Sequence, residues 1–558
     1  MIYLYAFAAV LLIVAILAAI YRPFGDYMAW VFASPKNLAL ERWFYRLVGI
    51  DPDKEQPWRS YLRGVLAFSL AGLLLLYGMQ RLQQYLPWSL DMGSVSPFLA
   101  FNTATSFVSN TDWQSYSPDV TMGYAVQLAG LCVQNFVSAA VGMVVAIALV
   151  RGFAWRKRRA IGNFWVDLTR CLWRILLPIS FAGALLLMAL GVIQNFNGFV
   201  DISTIAGGSQ SIPGGPVASQ EIIKMLGTNG GGFFNVNSAH PFENPNLWTN
   251  LIEIIAMLAI PVCLTRTFGR MVGDLRQGYA LVAAMSVLWV MSLVLLVSFE
   301  SFSPHATTQL AGAAMEGKET RFGIVWSSLF GGTATGTSTG AANSMYDSYT
   351  ALGGMMLMLN MMFGEVSPGG VGGGLYSILV MAIVTVFIAG LLVGRTPEYL
   401  GKKVGPRQMK LASLYFLVTP IIVLAGTALS LAIPAVRNSV EQTSLLNSGS
   451  HGFSELVYAF TSAANNNGSA FAGLTADTPW MNTALAVAIL LGRFIPMVLV
   501  LALAGSLAQQ DKVPTTSGTL KTHRSLFVFL LVFVIIIISA LTFFPTLALG
   551  PLAEGLVA

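Results

Sequence analysis

The sequence Gly-Thr-Asn-Gly-Gly-Gly-Phe-Phe, at residues 227–234, is the stretch from which we predict the fold of this chain. It follows residues 219–226, which are long enough for about two helical turns. A short helix that ends in glycines leaves its last carbonyl groups unpaired, and glycine lets successive carbonyls point the same way. A row of aimed carbonyl oxygens can replace the water shell of a monovalent cation. The alternative is a flexible loop between two membrane helices, because glycine-rich turns are common.

The composition is that of a polytopic membrane protein. Of the 558 residues, 55% are hydrophobic and only 10% are charged, whereas a soluble domain carries about 25% charged residues. The formal charge of +6 does not indicate nucleic-acid binding, because the basic residues form short clusters between apolar runs. The three cysteines lie singly inside such runs and indicate small apolar side chains rather than disulfides. The four histidines are too scattered to predict a metal site.

Apolar runs of roughly 20 residues predict about ten membrane spans. They lie near residues 2–20, 62–80, 121–150, 172–194, 249–265, 279–299, 375–394, 411–433, 481–508 and 525–548. Glycines interrupt the apolar region 351–374, which we interpret as the first part of a broken helix that continues into 375–394. Residues 1–20 lack the basic region of a signal peptide, and positive charges follow from Arg22 onward. We therefore predict a retained helix with its N-terminus outside.

The positions of the basic residues predict the orientation of the spans. Five loops are rich in lysine and arginine, whereas no basic residue lies between Arg81 and Arg151, and only Lys224 lies between Arg174 and Arg266. Basic loops stay on the cytoplasmic side of a membrane. The alternation of basic and non-basic loops therefore predicts five cytoplasmic loops and two extracytoplasmic termini.

The non-basic stretches share one pattern, an amphipathic segment followed by a turn of small and polar residues. They lie at 101–114, 219–234, 325–340 and 458–468. This recurrence predicts a divergent fourfold repeat of span, re-entrant helix with loop, and span. Backbone at membrane depth must be buried or line a cavity. Four such loops on one side of the membrane would meet on one axis and line a cavity with carbonyl oxygens.

The predicted fold is therefore an all-α polytopic membrane protein with four repeated units around one axis. An extra helix and a basic cytoplasmic loop form residues 1–61, and an extra C-terminal helix forms residues 511–558. The four predicted repeats are 62–150, 151–276, 277–410, which contains the broken helix, and 411–510.

Five longer strings are more specific than the pattern. They are Asn-Thr-Asp-Trp-Gln-Ser-Tyr at 110–116, Met-Leu-Gly-Thr-Asn-Gly-Gly-Gly-Phe-Phe-Asn at 225–235, His-Pro-Phe-Glu-Asn-Pro at 240–245, Gly-Arg-Thr-Pro-Glu-Tyr-Leu-Gly-Lys-Lys at 394–403 and Ser-Ala-Ala-Asn-Asn-Asn-Gly-Ser-Ala-Phe at 462–471. Together they resemble the potassium-binding A subunits of the Kdp potassium-transporting ATPase, a family within the superfamily of potassium transporters.

The resemblance implies a fold of ten helices and four pore loops, and an ATP-driven complex in a bacterial inner membrane. The implied partners are a P-type ATPase subunit (KdpB), KdpC and the small KdpF subunit. K+ would be the bound substrate, and no organic cofactor is implied. It would enter the filter from outside and pass sideways to the ATPase subunit, where ATP hydrolysis drives it into the cytoplasm.

The resemblance also implies which residues form the potassium filter. They are Asn110, Thr111 and Asp112; Thr228, Asn229 and Gly230; Ser338, Thr339 and Gly340; and Asn465, Asn466, Asn467 and Gly468. Gln114, Gly231 and Gly232 would support them from behind. The family often has Asn where Asp112 stands and Cys where Thr339 stands. Asp112 could add negative charge at the filter mouth or face water, which is the favoured interpretation. Thr339 is a mild change if the backbone carbonyl is the ligand.

Residues 364–374, which we name the glycine loop, contain six glycines. In the family, the corresponding loop lies under the filter and, with an arginine, blocks direct passage to the cytoplasm. The residues that would form this gate are Gly369, Gly370, Gly372, Gly373 and Arg395. The alternatives are a plain helix break and an ordinary interfacial arginine.

Arg493 interrupts an apolar run near the middle of a predicted span. A buried arginine in a span needs a partner or water and is usually functional. A structural ion pair is the alternative role. Glu365 is a candidate counter-charge, although nothing in the sequence pairs the two.

The sequence shows no energy-coupling site. It contains neither a GxxxxGK[ST] phosphate loop nor a DKTG phosphorylation string, and its loops leave no room for a nucleotide domain. We therefore predict a non-hydrolytic, potassium-selecting subunit of an ATP-driven import pump. One alternative is a self-sufficient potassium channel or ion-coupled transporter of the same superfamily. Another is a membrane scaffold whose loops only dock partners.

Overall fold

Long apolar helices dominate the structure. The computed structural model describes residues 2–302, 314–392, 394, 397–514 and 519–557. Within these ranges ten helices are long and apolar enough to cross a membrane, which confirms the predicted number of spans. They are Ile2–Ala33, Trp58–Arg81, Val126–Ala154, Phe164–Ala189, Leu247–Val272, Leu275–Ser301, Gly373–Leu392, Pro406–Ala432, Pro479–Ala508 and Ser525–Leu549.

Several helices differ in length or regularity from the predicted apolar runs. The first helix continues past Pro23 to Ala33, well beyond the predicted end at residue 20. Two spans contain π-helical turns, at Val126–Cys132 and Cys171–Leu176. Hydropathy depends on side chains and not on backbone hydrogen bonding, so it places a span without showing such turns.

Three spans form the centre of the protein. The most apolar window of Val126–Ala154 is 89% buried, and those of Leu247–Val272 and Gly373–Leu392 are each 72% buried. The corresponding windows of Ile2–Ala33 and Ser525–Leu549 are only 17% and 28% buried. A helix that is apolar on all sides can pack against protein or against lipid. The structure therefore separates central spans from peripheral ones that hydropathy alone does not distinguish.

Four shorter helices lie between spans, where the sequence predicts amphipathic segments. We name them short helices 1 to 4: Pro97–Val108, Val217–Leu226, Gly323–Gly336 and Gly449–Asn465. The loops that follow them, loops 1 to 4, are residues 109–116, 227–236, 337–345 and 466–472. Ser96 caps the N-terminus of short helix 1, and its Oγ accepts a hydrogen bond from the Leu99 N–H. These helices are too short to cross a membrane, yet most of their residues are buried.

The predicted broken helix is observed. Ala351–Met362 and Gly373–Leu392 are separate helices, and residues 363–372 join them. Gly364, Gly369 and Gly372 have φ angles of +79°, +85° and +81°. Only glycine adopts this left-handed region at little cost, so the glycines are what allow the chain to turn here.

Short elements complete the described part of the chain. The remaining helices are Ala39–Val48, Pro118–Thr121, Pro434–Ser439 and Pro551–Val557. Antiparallel strand pairs join Gln56–Pro57 to Ala160–Gly162, Val200–Ser203 to Ser209–Ile212, and Glu398–Tyr399 to Lys402–Lys403. A buried ion pair between Glu41 and Arg174 ties the helix Ala39–Val48 to the span Phe164–Ala189.

Candidate functional site

The four short helices end in the same hydrogen-bonded turn. In each, an N–H just past the helix donates to the carbonyl five residues earlier. The pairs are Thr111 to Ser106 at 3.0 Å, and Asn229 to Lys224, Thr339 to Ala334 and Asn467 to Ser462 at 2.9 Å. Such bonds satisfy carbonyls at a helix C-terminus while the chain reverses. The four loops therefore leave their helices in the same way.

The residue before each donor has a left-handed backbone. The φ angles are +68° at Asn110, +47° at Thr228, +58° at Ser338 and +59° at Asn466. Such angles are uncommon outside glycine, so four of them at equivalent positions indicate one shared loop geometry. Asn465, which the resemblance places in the filter, is the last residue of short helix 4, and its Nδ2 donates to the Thr461 carbonyl. Loop 4 therefore begins at Asn466.

The four loops meet closely, because glycines leave room for backbone against backbone. A Cβ added at Gly230 would overlap the Thr111 carbonyl oxygen and lie 3.0 Å from the Gly340 Cα. A Cβ at Gly340 would lie 2.6 Å from the Asn467 carbonyl oxygen, and one at Gly468 would overlap the Thr111 carbonyl oxygen. Carbonyls from different loops therefore crowd one small volume.

Side-chain hydrogen bonds join three adjacent pairs of loops. The Asn110 Nδ2 donates to the Gly227 and Thr228 carbonyls at 3.2 and 2.9 Å, which joins loop 1 to loop 2. The Ser338 Oγ donates to the Asn466 carbonyl at 3.5 Å, which joins loop 3 to loop 4. The Asn466 Nδ2 donates to the Thr111 Oγ1 at 3.0 Å, which joins loop 4 to loop 1.

Hydroxyl groups of loops 1 and 3 bond within their own loops. The Thr339 and Thr337 hydroxyls are 2.8 Å apart, as are those of Thr111 and Ser109. The hydroxyl of Thr339 is therefore engaged within loop 3.

The glycine loop supplies the link between loops 2 and 3. The Val371 N–H donates to the Thr228 Oγ1 at 2.9 Å, and the Gly369 N–H donates to the Gly336 carbonyl at 2.8 Å. A Cβ at Gly370 would lie 2.7 Å from the Ser338 Cβ, and one at Gly372 would overlap the Gly142 carbonyl. Three of the four glycines predicted for the gate, Gly369, Gly370 and Gly372, therefore lie in close contact with neighbouring atoms.

Gly373 is less constrained than the other three glycines predicted for the gate. A Cβ at Gly373 would lie 3.6 Å from the nearest side-chain atom, the Tyr376 hydroxyl oxygen. Arg395 lies outside the described residues.

Glu365 and Arg493 face the same cavity beneath the loops, together with Asn110 and Ser338. The Glu365 carboxylate accepts hydrogen bonds from the Asn467 Nδ2, at 3.1 Å, and from the Ser338 Oγ. Arg493 donates to the Ser138 carbonyl at 3.3 Å. Among the described residues these two charges form no ion pair with each other, so the pairing considered from the sequence is not present.

Asp112 does not face water, which corrects the favoured interpretation. Its side chain is 0% exposed, and neither carboxylate oxygen has a hydrogen-bond partner among the described residues. Loop 2 lies beside it, since a Cβ added at Gly231 would lie 3.0 Å from the Asp112 backbone carbonyl oxygen.

An outer cavity of about 560 Å³ lies on the other side of the loops and is lined by Asp112, Gln114, Gly231, Gly340 and Gly468. The Gln114 side chain accepts from the Gly232 N–H at 3.0 Å and donates to the Gly232 carbonyl at 3.2 Å. Gln114 therefore holds the glycines of loop 2 from loop 1, as predicted for residues that support the filter from behind.

Sequence reasoning missed a buried charge network behind loop 2. Lys224 is fully buried and lies 2.6 Å from a Glu221 oxygen and 3.3 Å from a Glu243 oxygen. The signal was present, since Lys224 is the only basic residue in a long non-basic stretch, and a lysine buried there needs partners.

Another missed cluster lies at the start of short helix 4. His451 Nε2 is 3.1 Å from an Asp347 oxygen, and its Nδ1 is 2.9 Å from a Glu554 oxygen. Hydrogen bonding to Asp347 and then Glu554 raises the pKa of His451 to about 10. Ligand atoms of Asp347, His451 and Glu455 also lie within 4.8 Å of one another. The positions of the histidines in the sequence did not indicate that one of them, His451, lies beside three carboxylates.

Comparison with known proteins identifies close relatives across nearly the whole chain. The family model described as potassium-transporting ATPase A subunit (KdpA) matches residues 11–556. The potassium-transporting ATPase potassium-binding subunit of Clavibacter michiganensis is 67% identical over 98% of both chains. Proteins of that name from Cutibacterium acnes and Streptomyces coelicolor are 62% and 59% identical, over 96% and 98% of both chains.

A solved structure has the same overall fold at low sequence identity. The potassium transporter TrkH from Vibrio parahaemolyticus matches with a TM-score of 0.54 and 14% identity. The match covers 90% of this chain and 97% of TrkH. It supports the arrangement of the helices and carries no residue assignment.

Proposed function

The chain belongs to the family of potassium-transporting ATPase A subunits, and from this premise we propose that it binds and passes K+ in an ATP-driven uptake complex. The observation that carries the proposal is the convergence of four loops with equivalent left-handed residues. Left-handed and right-handed residues in alternation aim successive carbonyls to one side, which is the arrangement that strips water from K+. The chain itself is the non-hydrolytic subunit, and ATP hydrolysis belongs to its partner.

The proposed filter is formed by loops 1 to 4, with the residues that the resemblance implies, shifted in loop 4 to begin at Asn466. Short helices 1 to 4 are then re-entrant helices, and each is the centre of one of four pseudo-repeats bounded at residues 62, 151, 277, 411 and 510. The repeated helix-end turn and the repeated φ angles support this division.

The proposed path begins at the outer cavity and passes through the loops into the cavity lined by Glu365 and Arg493. The glycine loop would block the direct route to the cytoplasm, because it packs against Thr228 and Gly336 under the loops. K+ would then leave sideways to the P-type ATPase subunit (KdpB), with KdpC and KdpF completing the complex. We place the complex in a bacterial inner membrane with both termini of this chain outside.

A self-sufficient channel or transporter is the second candidate, favoured by the likeness to TrkH. The glycine loop argues against an open pore, since it packs against Thr228 and Gly336 beneath the loops. Flux of K+ through the purified chain without an ATPase would support this second candidate.

The test uses the complex purified through this chain, with ATP hydrolysis titrated first with K+ and then with Na+. Gly230→Asp should abolish activation at low K+ concentration, because even a Cβ at Gly230 overlaps the Thr111 carbonyl. Gly93→Asp is the matched control, because a Cβ at Gly93 meets no atom within 4 Å. Unchanged K+ activation in Gly230→Asp would remove the filter assignment. Copurification of no ATPase would remove the partner assignment.

A further inference from the structure

Loop 2 contains the longest run of glycines among the four loops. Residues 230–232 are all glycine, and Gly231 has a φ of +68°. Glycine has the greatest conformational freedom of any residue, so a loop of this composition keeps one shape only if neighbouring groups hold it. Asn110 and Gln114 hold it from loop 1. Other groups hold the segment that follows loop 2.

Lys224 lies at the centre of the groups that hold this segment. Its Nζ lies 2.6 Å from a Glu221 carboxylate oxygen, and it donates to the Asn237 Oδ1 at 2.9 Å. It also donates to the Ser238 Oγ and the Glu243 Oε2, each at 3.3 Å. An ammonium group has three N–H donors, so the four surrounding oxygens leave none of these donors without a partner.

Two partners of Lys224 bind the backbone of loop 2 directly. The other oxygen of Glu243, Oε1, accepts from the Phe233 and Phe234 N–H groups at 2.5 and 2.9 Å. The Asn237 Nδ2 donates to the Gly231 carbonyl. Lys224 is on short helix 2, so the network connects the helix that precedes loop 2 to the backbone that follows it.

We propose that Lys224 and Glu243 are positioning residues that fix the direction of the loop 2 carbonyls and thereby set the discrimination between K+ and Na+. The inference rests on the proposed filter. A shift of a few tenths of an ångström in carbonyl direction changes how well oxygens replace the hydration shell of one cation rather than another. Neither residue touches the ion; both act through Gly231, Phe233 and Phe234.

A second buried ion pair lies outside the four loops and the glycine loop. Glu41 has a fully buried side chain and pairs with the buried Arg174. It also accepts a hydrogen bond from the Leu38 N–H at 2.8 Å, at the start of the helix Ala39–Val48. Its contacts stabilise a helix end and not the carbonyls of a converging loop. Glu41→Gln is therefore the matched control for Glu243→Gln.

The experiment measures the half-saturating concentrations of K+ and Na+ for ATP hydrolysis by the whole complex, and takes their ratio. Lys224→Met and Glu243→Gln should each reduce the Na+-to-K+ ratio by about tenfold or more, equivalent to 1.4 kcal/mol of discrimination. Lys224→Arg should restore most of the ratio, because it keeps the positive charge and several donors. Glu41→Gln should keep the wild-type ratio even if the complex is less stable.

Three outcomes would overturn the proposal. The first is a wild-type ratio in an assembled Lys224→Met complex. The second applies if Lys224→Met does not assemble, and is a wild-type ratio in Glu243→Gln, which removes the carboxylate charge that faces Lys224. The third is an equal loss in Glu41→Gln, which would indicate a general structural effect. A wild-type ratio in Gly230→Asp would instead refute the proposed filter, so the two failures are distinguishable.

Discussion

Asn110 joins loop 1 to loop 2, and replacing it tests how the converging loops are held. Its Nδ2 donates to the carbonyls of Gly227 and Thr228, and its Oδ1 accepts from the Ser138 Oγ and the Asn229 Nδ2, both at 2.9 Å. The residue is buried and has a φ of +68°. Asn110→Ala removes all four hydrogen bonds and leaves alanine in the left-handed region, which asparagine tolerates better.

The expected cost follows from these contacts. A buried polar group left without a partner costs about 1–3 kcal/mol, so the two carbonyls alone cost roughly 2–6 kcal/mol. Alanine in the left-handed region costs roughly 1–2 kcal/mol relative to glycine, and the asparagine of the wild type already bears part of that cost. The free energy of unfolding should therefore fall by roughly 2–6 kcal/mol in Asn110→Ala, mainly through the lost hydrogen bonds. Asn110→Gly loses the same hydrogen bonds without the left-handed cost, so it should be about 1 kcal/mol more stable than the alanine variant.

The assay compares thermal unfolding and K+-activated ATP hydrolysis of the complex containing each variant. The melting temperature should fall from wild type to Asn110→Gly and further to Asn110→Ala. Both variants should need at least about tenfold more K+ for half-activation, because the Thr228 carbonyl loses its donor. Asp91 is the control, since it is exposed and has a φ of +59°. Asp91→Gly should also be more stable than Asp91→Ala. Neither Asp91 variant should change K+ activation. An alanine variant at Asn110 as stable as the glycine variant, with normal K+ activation, would refute the reasoning.

Two further predictions use other parts of the structure. Gly340→Ala should abolish K+ activation, because its Cβ would lie 2.6 Å from a carbonyl of loop 4, whereas Gly93→Ala should be neutral in the same assay. His451→Gln should lower the melting temperature, because protonated His451 joins Asp347 to Glu554. The pKa of His451 is raised to about 10 in the folded protein, so its stabilising contribution is full below about pH 6.5 and is lost as the pH rises through 10. The difference in melting temperature from wild type should therefore be larger at pH 6 than at pH 10, and a constant difference would contradict the assignment.

The sequence predicted well whatever depends on local composition. Ten apolar runs gave ten spans, and glycines in 351–374 gave the break between two helices, because hydropathy and glycine content act within a few residues. The amphipathic segments likewise coincide with the short helices. The predicted ends of the spans were less accurate, since the first helix continues to Ala33 and includes Arg22 and Asp26 in its C-terminal half.

What the sequence could not predict depends on contacts between distant residues. Asn110 bonds to Thr228 across more than a hundred positions, and Lys224 is neutralised by Glu243 from a separate segment. Asp112 was expected to face water, yet its side chain is buried. The start of loop 4 was also not predictable, because three consecutive asparagines look alike in sequence, and only the helix end and the φ of Asn466 separate them.

The links between loops 1 to 4 also explain why the glycine loop beneath them cannot move independently of these loops. Loops 1 and 2, 3 and 4, and 4 and 1 are joined by their own side chains, whereas loops 2 and 3 are joined through the glycine loop. Displacing the glycine loop to open a direct route would break the bond from the Val371 N–H to the Thr228 Oγ1 and withdraw the support under Ser338. Loops 2 and 3 would then lose the link that joins them. A variant that opens this route should therefore lose selectivity as well, and a leak that remains fully K+-selective would show that the two are separate.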